Sequence, residues 1–135
     1  MVTNDVVLNK IATIERCVKR VNEVYGSNPE NLQDFTKQDS IILNIQRACE
    51  ASIDLAMHIV SDLKLGLPKT SREAFKLLED NNIIDHELAK TLMNMVGFRN
   101  IAVHAYQAIE LNILQAIIEN YLGDFKAYTA AILLV

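Results

Sequence analysis

The sequence predicts an all-α protein: an up-and-down four-helix bundle with one short additional helix, filling residues 1–135 as a single domain. Three observations predict it. Apolar residues recur at spacings of three and four over long stretches. Four Gly and two Pro in 135 residues are too few to turn the strands of a sandwich or barrel. No stretch of useful length alternates apolar and polar residues. Half of the chain is hydrophobic, enough to bury a core without a disulfide or metal staple and too much for disorder.

Each element follows in order. Asn4 or Asp5 caps a first helix running to about Tyr25, with Val7, Ile11, Ile14, Val18, Val21 and Tyr25 on one face. Gly26-Ser27-Asn28-Pro29 stops it, and the segment to Gln38 reads as a loop anchored by Leu32 and Phe35. Asp39 or Ser40 caps a second helix that runs to about Leu65, roughly 39 Å long, and Gly66 and Pro68 end it. Thr70 or Ser71 caps a short third helix with Phe75, Leu77 and Leu78, ending near Asn81-Asn82. Glu73 in its first turn suits the positive end of the helix dipole. Asp85 caps a fourth helix carrying Leu88, Leu92, Met95, Val96 and Phe98, and the pattern loses regularity over residues 97–106. A fifth helix covers about Ala108 to Ala131, with Ile109, Ile113, Ala116, Ile117, Tyr121 and Phe125 on one face. The apolar tail 130–135 is too short to span a membrane and is expected to pack on the body or on a second subunit.

The formal net charge is −4 and the pI about 5.3, so no global basic field draws nucleic acid; Arg16, Lys19 and Arg20 offer only a local patch. Cys17 and Cys49 lack paired-thiol spacing and sit among apolar residues, as buried reduced thiols of a cytosolic protein do. The segment Met1-Val2-Thr3-Asn4-Asp5 lacks the basic and apolar regions of a signal peptide, and no uncharged apolar run reaches about 18 residues. A cytoplasmic protein with no membrane partner is expected.

Two polar constellations interrupt this pattern. The second helix is apolar nearly all round, which makes it central, yet Arg47, Glu50, Asp54 and His58 fall at spacings of three, four and four. That stripe is either a structural ion network or solvent edge, or a polar wall lining a cleft or dimer interface. A carboxylate close to Arg or His would fix its orientation and raise the His pKa. As a metal site Asp54 with His58 is poor, and the Glu-x-x-His pairs of a di-iron bundle are absent, so no metal or other cofactor is expected.

The second constellation is Gly97-Phe98-Arg99-Asn100-Ile101-Ala102-Val103-His104-Ala105-Tyr106. On a regular helix Arg99 and His104 point about 140° apart while Asn100 and His104 share a face. Convergence of Arg99 with His104 needs a helix end, a kink or a second subunit. His exchanges protons near neutral pH, and Arg presents a permanently charged fork that matches phosphate oxygens. Together they suit a phosphodiester, one moving protons and the other stabilising charge on the phosphorane. Taken alone, an Arg and a His near a helix end are more often capping or ion-pair groups.

The segment from Arg99 to Tyr106 resembles the signature of the HEPN superfamily, an Arg, usually a polar residue, and a His after four to six intervening positions. Its His-x-Tyr extension is similar to HepT, the toxin family of HEPN/MNT toxin–antitoxin pairs. Residues 47–60 resemble that family's second helix, as do Ser71-Arg72-Glu73-Ala74-Phe75 and Met95-Val96-Gly97-Phe98-Arg99-Asn100 their counterparts, so the match covers nearly the whole chain. The resemblance implies a homodimer whose paired motifs line a shared cleft. It implies a metal-independent endoribonuclease in which His104 serves the ribose 2′-hydroxyl as base or acid and Arg99 stabilises the phosphorane. The products would be 2′,3′-cyclic phosphate and 5′-hydroxyl ends. Asn100 would orient His104 or the phosphate. The resemblance also implies an MNT-type nucleotidyltransferase antitoxin that transfers AMP onto Tyr106, adding charge and bulk beside the cleft. The alternative is a non-catalytic HEPN module that binds a nucleotide or scaffolds the nucleotidyltransferase.

Overall fold

The computed structural model describes residues 4–135; Met1, Val2 and Thr3, the start of the N-terminal segment considered above, lie outside the described residues. The described chain is all-α. Helix α1 spans Asp5–Tyr25, α2 Phe35–Asp62, α3 Ser71–Asp80, α4 His86–His104, α5 Leu111–Ala116 and α6 Gly123–Leu133. Short 3-10 turns at Pro29–Gln33 and Tyr106–Ala108 and a π turn at Ile117–Tyr121 complete it.

Local chemistry sets the helix ends. Asn4 caps α1 by accepting from the Val7 amide, and Gly26 closes it in the left-handed region at φ 58°, where a Cβ is costly. Thr70 and Asp85 cap α3 and α4 through the amides of Glu73 and Leu88. Helix α2 departs from the expected boundaries. It begins four residues before Asp39, because Asp34 accepts from the Lys37 amide at 3.0 Å, and it ends at Asp62 rather than Leu65. The preceding loop folds into the Pro29–Gln33 turn, which buries Leu32 as expected. Phe35, expected to anchor it, is 78% exposed, since as the first residue of α2 it points away from the core.

Helix α2 is central, packed against α1, α3 and α4. It buries Ile41, Ile42, Ile45, Leu55, Ile59 and Val60, the near all-round apolar pattern of its sequence. Cross-helix contacts fix the directions. Asn4 meets His58 and Lys10 meets Asp54, so α1 and α2 are antiparallel; Glu50 meets Arg99 and Asp39 meets Tyr106, so α2 and α4 are antiparallel too. From α6, Tyr128 reaches the core centre, where its hydroxyl donates to the Ser52 carbonyl at 2.8 Å and its ring meets the edge of Phe75. Cys17 and Cys49 are both free and buried, and burial pushes the Cys49 thiol far above its ordinary pKa.

The C-terminal third differs most from expectation. A single helix over 108–131 is replaced by the 3-10 turn, α5, the π turn and α6. The π turn holds one surplus residue, so the buried face becomes Leu114, Ile117, Ile118, Leu122, Phe125, Tyr128 and Ile132. Ile113 and Tyr121, expected on that face, are 50% and 46% exposed. The tail packs on the body through Ile132, whereas Leu134 is exposed.

Candidate active site

The Arg99–Tyr106 segment is regular helix for longer than its sequence pattern indicates. Helix α4 continues through Gly97 and ends only at His104, where Ala105 leaves helical geometry at φ −146° and ψ 50°. The chain then tightens into the turn at Tyr106–Ala108, with the Ala108 amide donating to the Ala105 carbonyl at 2.7 Å. Without that break Tyr106 would continue along the axis of α4; with it, the phenol folds back onto α2.

Both ends of the segment are held by acids of α2. Glu50 Oε2 accepts from Arg99 Nε at 3.2 Å and from Nη2 at 3.0 Å. Asn100 Oδ1 accepts from Arg99 Nη1 at 3.2 Å. A guanidinium has five N–H donors, so one remains on each terminal nitrogen, a fork fitted to two phosphate oxygens. At the far end the Tyr106 hydroxyl donates a hydrogen bond to Asp39 Oδ1. Desolvation and the Asp39 carboxylate together push the Tyr106 phenol up to about 12. Asp39 and Glu50 are eleven residues apart, which puts them within about 20° of one helix face and roughly 16 Å apart along it.

His104 lies between these two clamps, exposed, with no side-chain hydrogen bond among the described residues. It lines an open depression of about 510 Å³ with Val103, Tyr106 and Gln107. Because α4 is helical throughout, Arg99 and His104 leave it in different directions, as the 140° spacing argument requires.

The four-residue stripe on α2 divides. Glu50 alone joins the motif. Asp54 takes Lys10 of α1 at 3.1 Å, and His58 Nε2 faces Asn4 Nδ2 at 3.2 Å. Those two residues tie α2 to the N-terminal half of α1. Arg47 is exposed and close enough to Cys17 to lower that thiol's pKa, though desolvation outweighs it and the net shift is upward. Asp39 is the residue that sequence reasoning missed. It read as a helix cap, and only the eleven-residue spacing to Glu50 marks it as sharing the motif-facing side of α2. Among the described residues no group of three or more His, Cys, Asp or Glu is gathered as a metal site would require.

Comparison with known proteins places the chain in a family. The chain is 51% identical over 125 residues to a protein of Shewanella oneidensis described as "mRNA nuclease HepT", covering 93% of this chain and 94% of that one. It is 36% identical over 101 residues to a "tRNA nuclease HepT" of Aphanizomenon flos-aquae, covering 75% and 69%. A solved structure of the tri-AMPylated Shewanella oneidensis HEPN toxin in complex with MNT antitoxin superposes with a TM-score of 0.93 at 49% identity, covering 98% of this chain and 100% of that one. A family profile described as "Ribonuclease HepT-like" matches residues 14–132. The chain therefore belongs to the HepT-like ribonuclease family of HEPN proteins.

Proposed function

We propose that this chain is the toxin of a HEPN/MNT toxin–antitoxin pair, a metal-independent endoribonuclease that works in the cytoplasm. His104 moves the proton of the ribose 2′-hydroxyl, the 2′-oxygen attacks the adjacent phosphorus, and the Arg99 fork stabilises the charge that builds on the non-bridging oxygens. The 5′-oxygen leaves, giving a 2′,3′-cyclic phosphate and a 5′-hydroxyl end. Asn100 and Glu50 orient the guanidinium. The observation that carries the reading is an exposed, unengaged His104 one and a half turns along α4 from an Arg99 already oriented with two donors to spare. The relatives named mRNA and tRNA nuclease support the reaction class.

A homodimer completes the site in this reading. Ile101, Ile113 and Tyr121 line an apolar groove of about 250 Å³ beside the motif half of α4. A second copy covering that side brings a second Arg99 and His104 to the same RNA. An MNT-type nucleotidyltransferase neutralises the toxin by transferring AMP to Tyr106. Each AMP places a phosphodiester charge and a base beside His104, competing for Arg99 and obstructing the depression. The AMP-bearing relative held by its antitoxin supports this step.

The test is incubation of the chain with RNA in EDTA beside His104→Ala of matched helicity. Cleavage that leaves cyclic-phosphate ends and vanishes in the variant is expected. Equal cleavage by both proteins would remove His104 from the chemistry.

A further inference from the structure

The contact between Tyr106 and Asp39 has no part in the cleavage chemistry proposed for Arg99 and His104. Asp39 lies on α2, about 16 Å along the helix from the Glu50 that holds Arg99. Asp39 is the fifth residue of α2, past the first turn, so the helix dipole gives little reason for an acid there. The backbone break at Ala105 and the turn at Tyr106–Ala108 deliver the hydroxyl to that carboxylate.

We propose that Asp39 is the general base of AMP transfer: its carboxylate takes the proton of the Tyr106 hydroxyl as that oxygen attacks a nucleoside triphosphate. The inference rests on the reading of Tyr106 as the AMP acceptor. The step balances without further reactants. Tyr106 Oη forms a bond to the α-phosphorus of ATP, the bond from that phosphorus to the β-bridging oxygen breaks, pyrophosphate leaves, and the phenolic proton passes to Asp39. A phenol is a poor nucleophile while protonated, and the one here holds its proton up to about pH 12. The nucleotidyltransferase supplies the nucleotide; on this reading the toxin supplies the base along with the acceptor. The device also keeps the two chemistries apart, because the base for modification is an acid on α2 while His104 stays unengaged for RNA.

The experiment follows AMP addition by intact mass, using the full chain, a minimal nucleotidyltransferase and Mg-ATP. Native protein, Asp39→Asn and Asp39→Glu are compared at matched helicity. Asparagine keeps an acceptor oxygen for the Tyr106 hydroxyl but takes no proton. Asp39→Asn is expected to slow addition by about 100-fold or more, the usual contribution of a general base, and Asp39→Glu to recover all but about tenfold. Modification of the native chain and of Asp39→Asn at similar rates would overturn the assignment and leave the acceptor reading intact. A native chain that takes no AMP would overturn the acceptor reading and this inference with it. Loss of helicity in Asp39→Asn would make Asp39 a structural residue and overturn the assignment likewise.

Discussion

Replacing Glu50 by Ala separates the catalytic from the structural value of the Glu50–Arg99 pair. The side chains are 31% exposed for Arg99 and 37% for Glu50, so solvent screens their attraction and the pair contributes less than about 1 kcal/mol to folding. Tm should fall by only a few degrees. Activity carries the larger loss. Glu50 holds Arg99 Nε and Nη2 at 3.2 and 3.0 Å, and without it the side chain regains about 2 kcal/mol of rotamer freedom that RNA binding must remove again. Removing the carboxylate also removes its repulsion of the substrate phosphate, worth about 0.7 kcal/mol at about 6 Å in water. The difference, about 1.3 kcal/mol, is about tenfold in kcat/KM. Glu50→Gln keeps an acceptor but holds the guanidinium about half as strongly without the charge, so it should fall between Glu50→Ala and native. The assay is cleavage of a defined oligoribonucleotide in EDTA beside thermal melting followed by circular dichroism. An unchanged or raised kcat/KM in a folded Glu50→Ala protein would mean that Glu50 restrains Arg99 rather than positions it. A fall in Tm of more than about ten degrees would refute the argument from exposure.

Two further outcomes follow from the packing. Burial and the Glu119 carboxylate push the Tyr25 phenol up from 10 to about 12, so the protonated form is favoured in the folded state. Its contribution to stability is whole below about pH 10 and is lost as pH rises through about 12; the urea midpoint of the native chain should decline over that interval more steeply than that of Tyr25→Phe, and parallel curves would contradict this. Leu32→Ala should cost about 2–4 kcal/mol because Leu32 is buried, while Phe35→Ala should stay within about 0.5 kcal/mol, and comparable urea midpoints for the two variants would overturn the revised boundary of α2.

Much of the fold was legible because period and capping agree in the first four helices. Asn4, Thr70 and Asp85 cap as their side chains and positions indicate, and the apolar row of α1 is buried apart from the half-buried Val18. The boundary of α2 was less legible: Asp34, Asp39 and Ser40 are all competent caps, and only the hydrogen bond to the Lys37 amide chooses among them. A π turn leaves no compositional mark, so Ile113 and Tyr121 were placed on the buried face of the last helix, although Ile117 and Phe125 are buried there as expected. At the candidate site the residue types of Arg99, Asn100, His104 and Tyr106 were legible from one contiguous motif. Glu50 was legible as part of a stripe. The separation of Glu50 from Asp54 and His58, and the arrival of Asp39, depend on which helix lies against each side of α2, and that is a property of packing.

The surplus residue at Ile117–Tyr121 has a consequence beyond its own turn. Ile117 and Ile118 at the start of that turn and the buried row of α6 face the core, while Ile113 before it and Tyr121 at its end are turned outward beside Ile101 of α4. In an unbroken α-helix Tyr121, four residues after Ile117 and four before Phe125, would share their buried face. Apolar area is thereby withheld from the interior, and the surface of Ile101, Ile113 and Tyr121 adds little to the stability of the chain by itself.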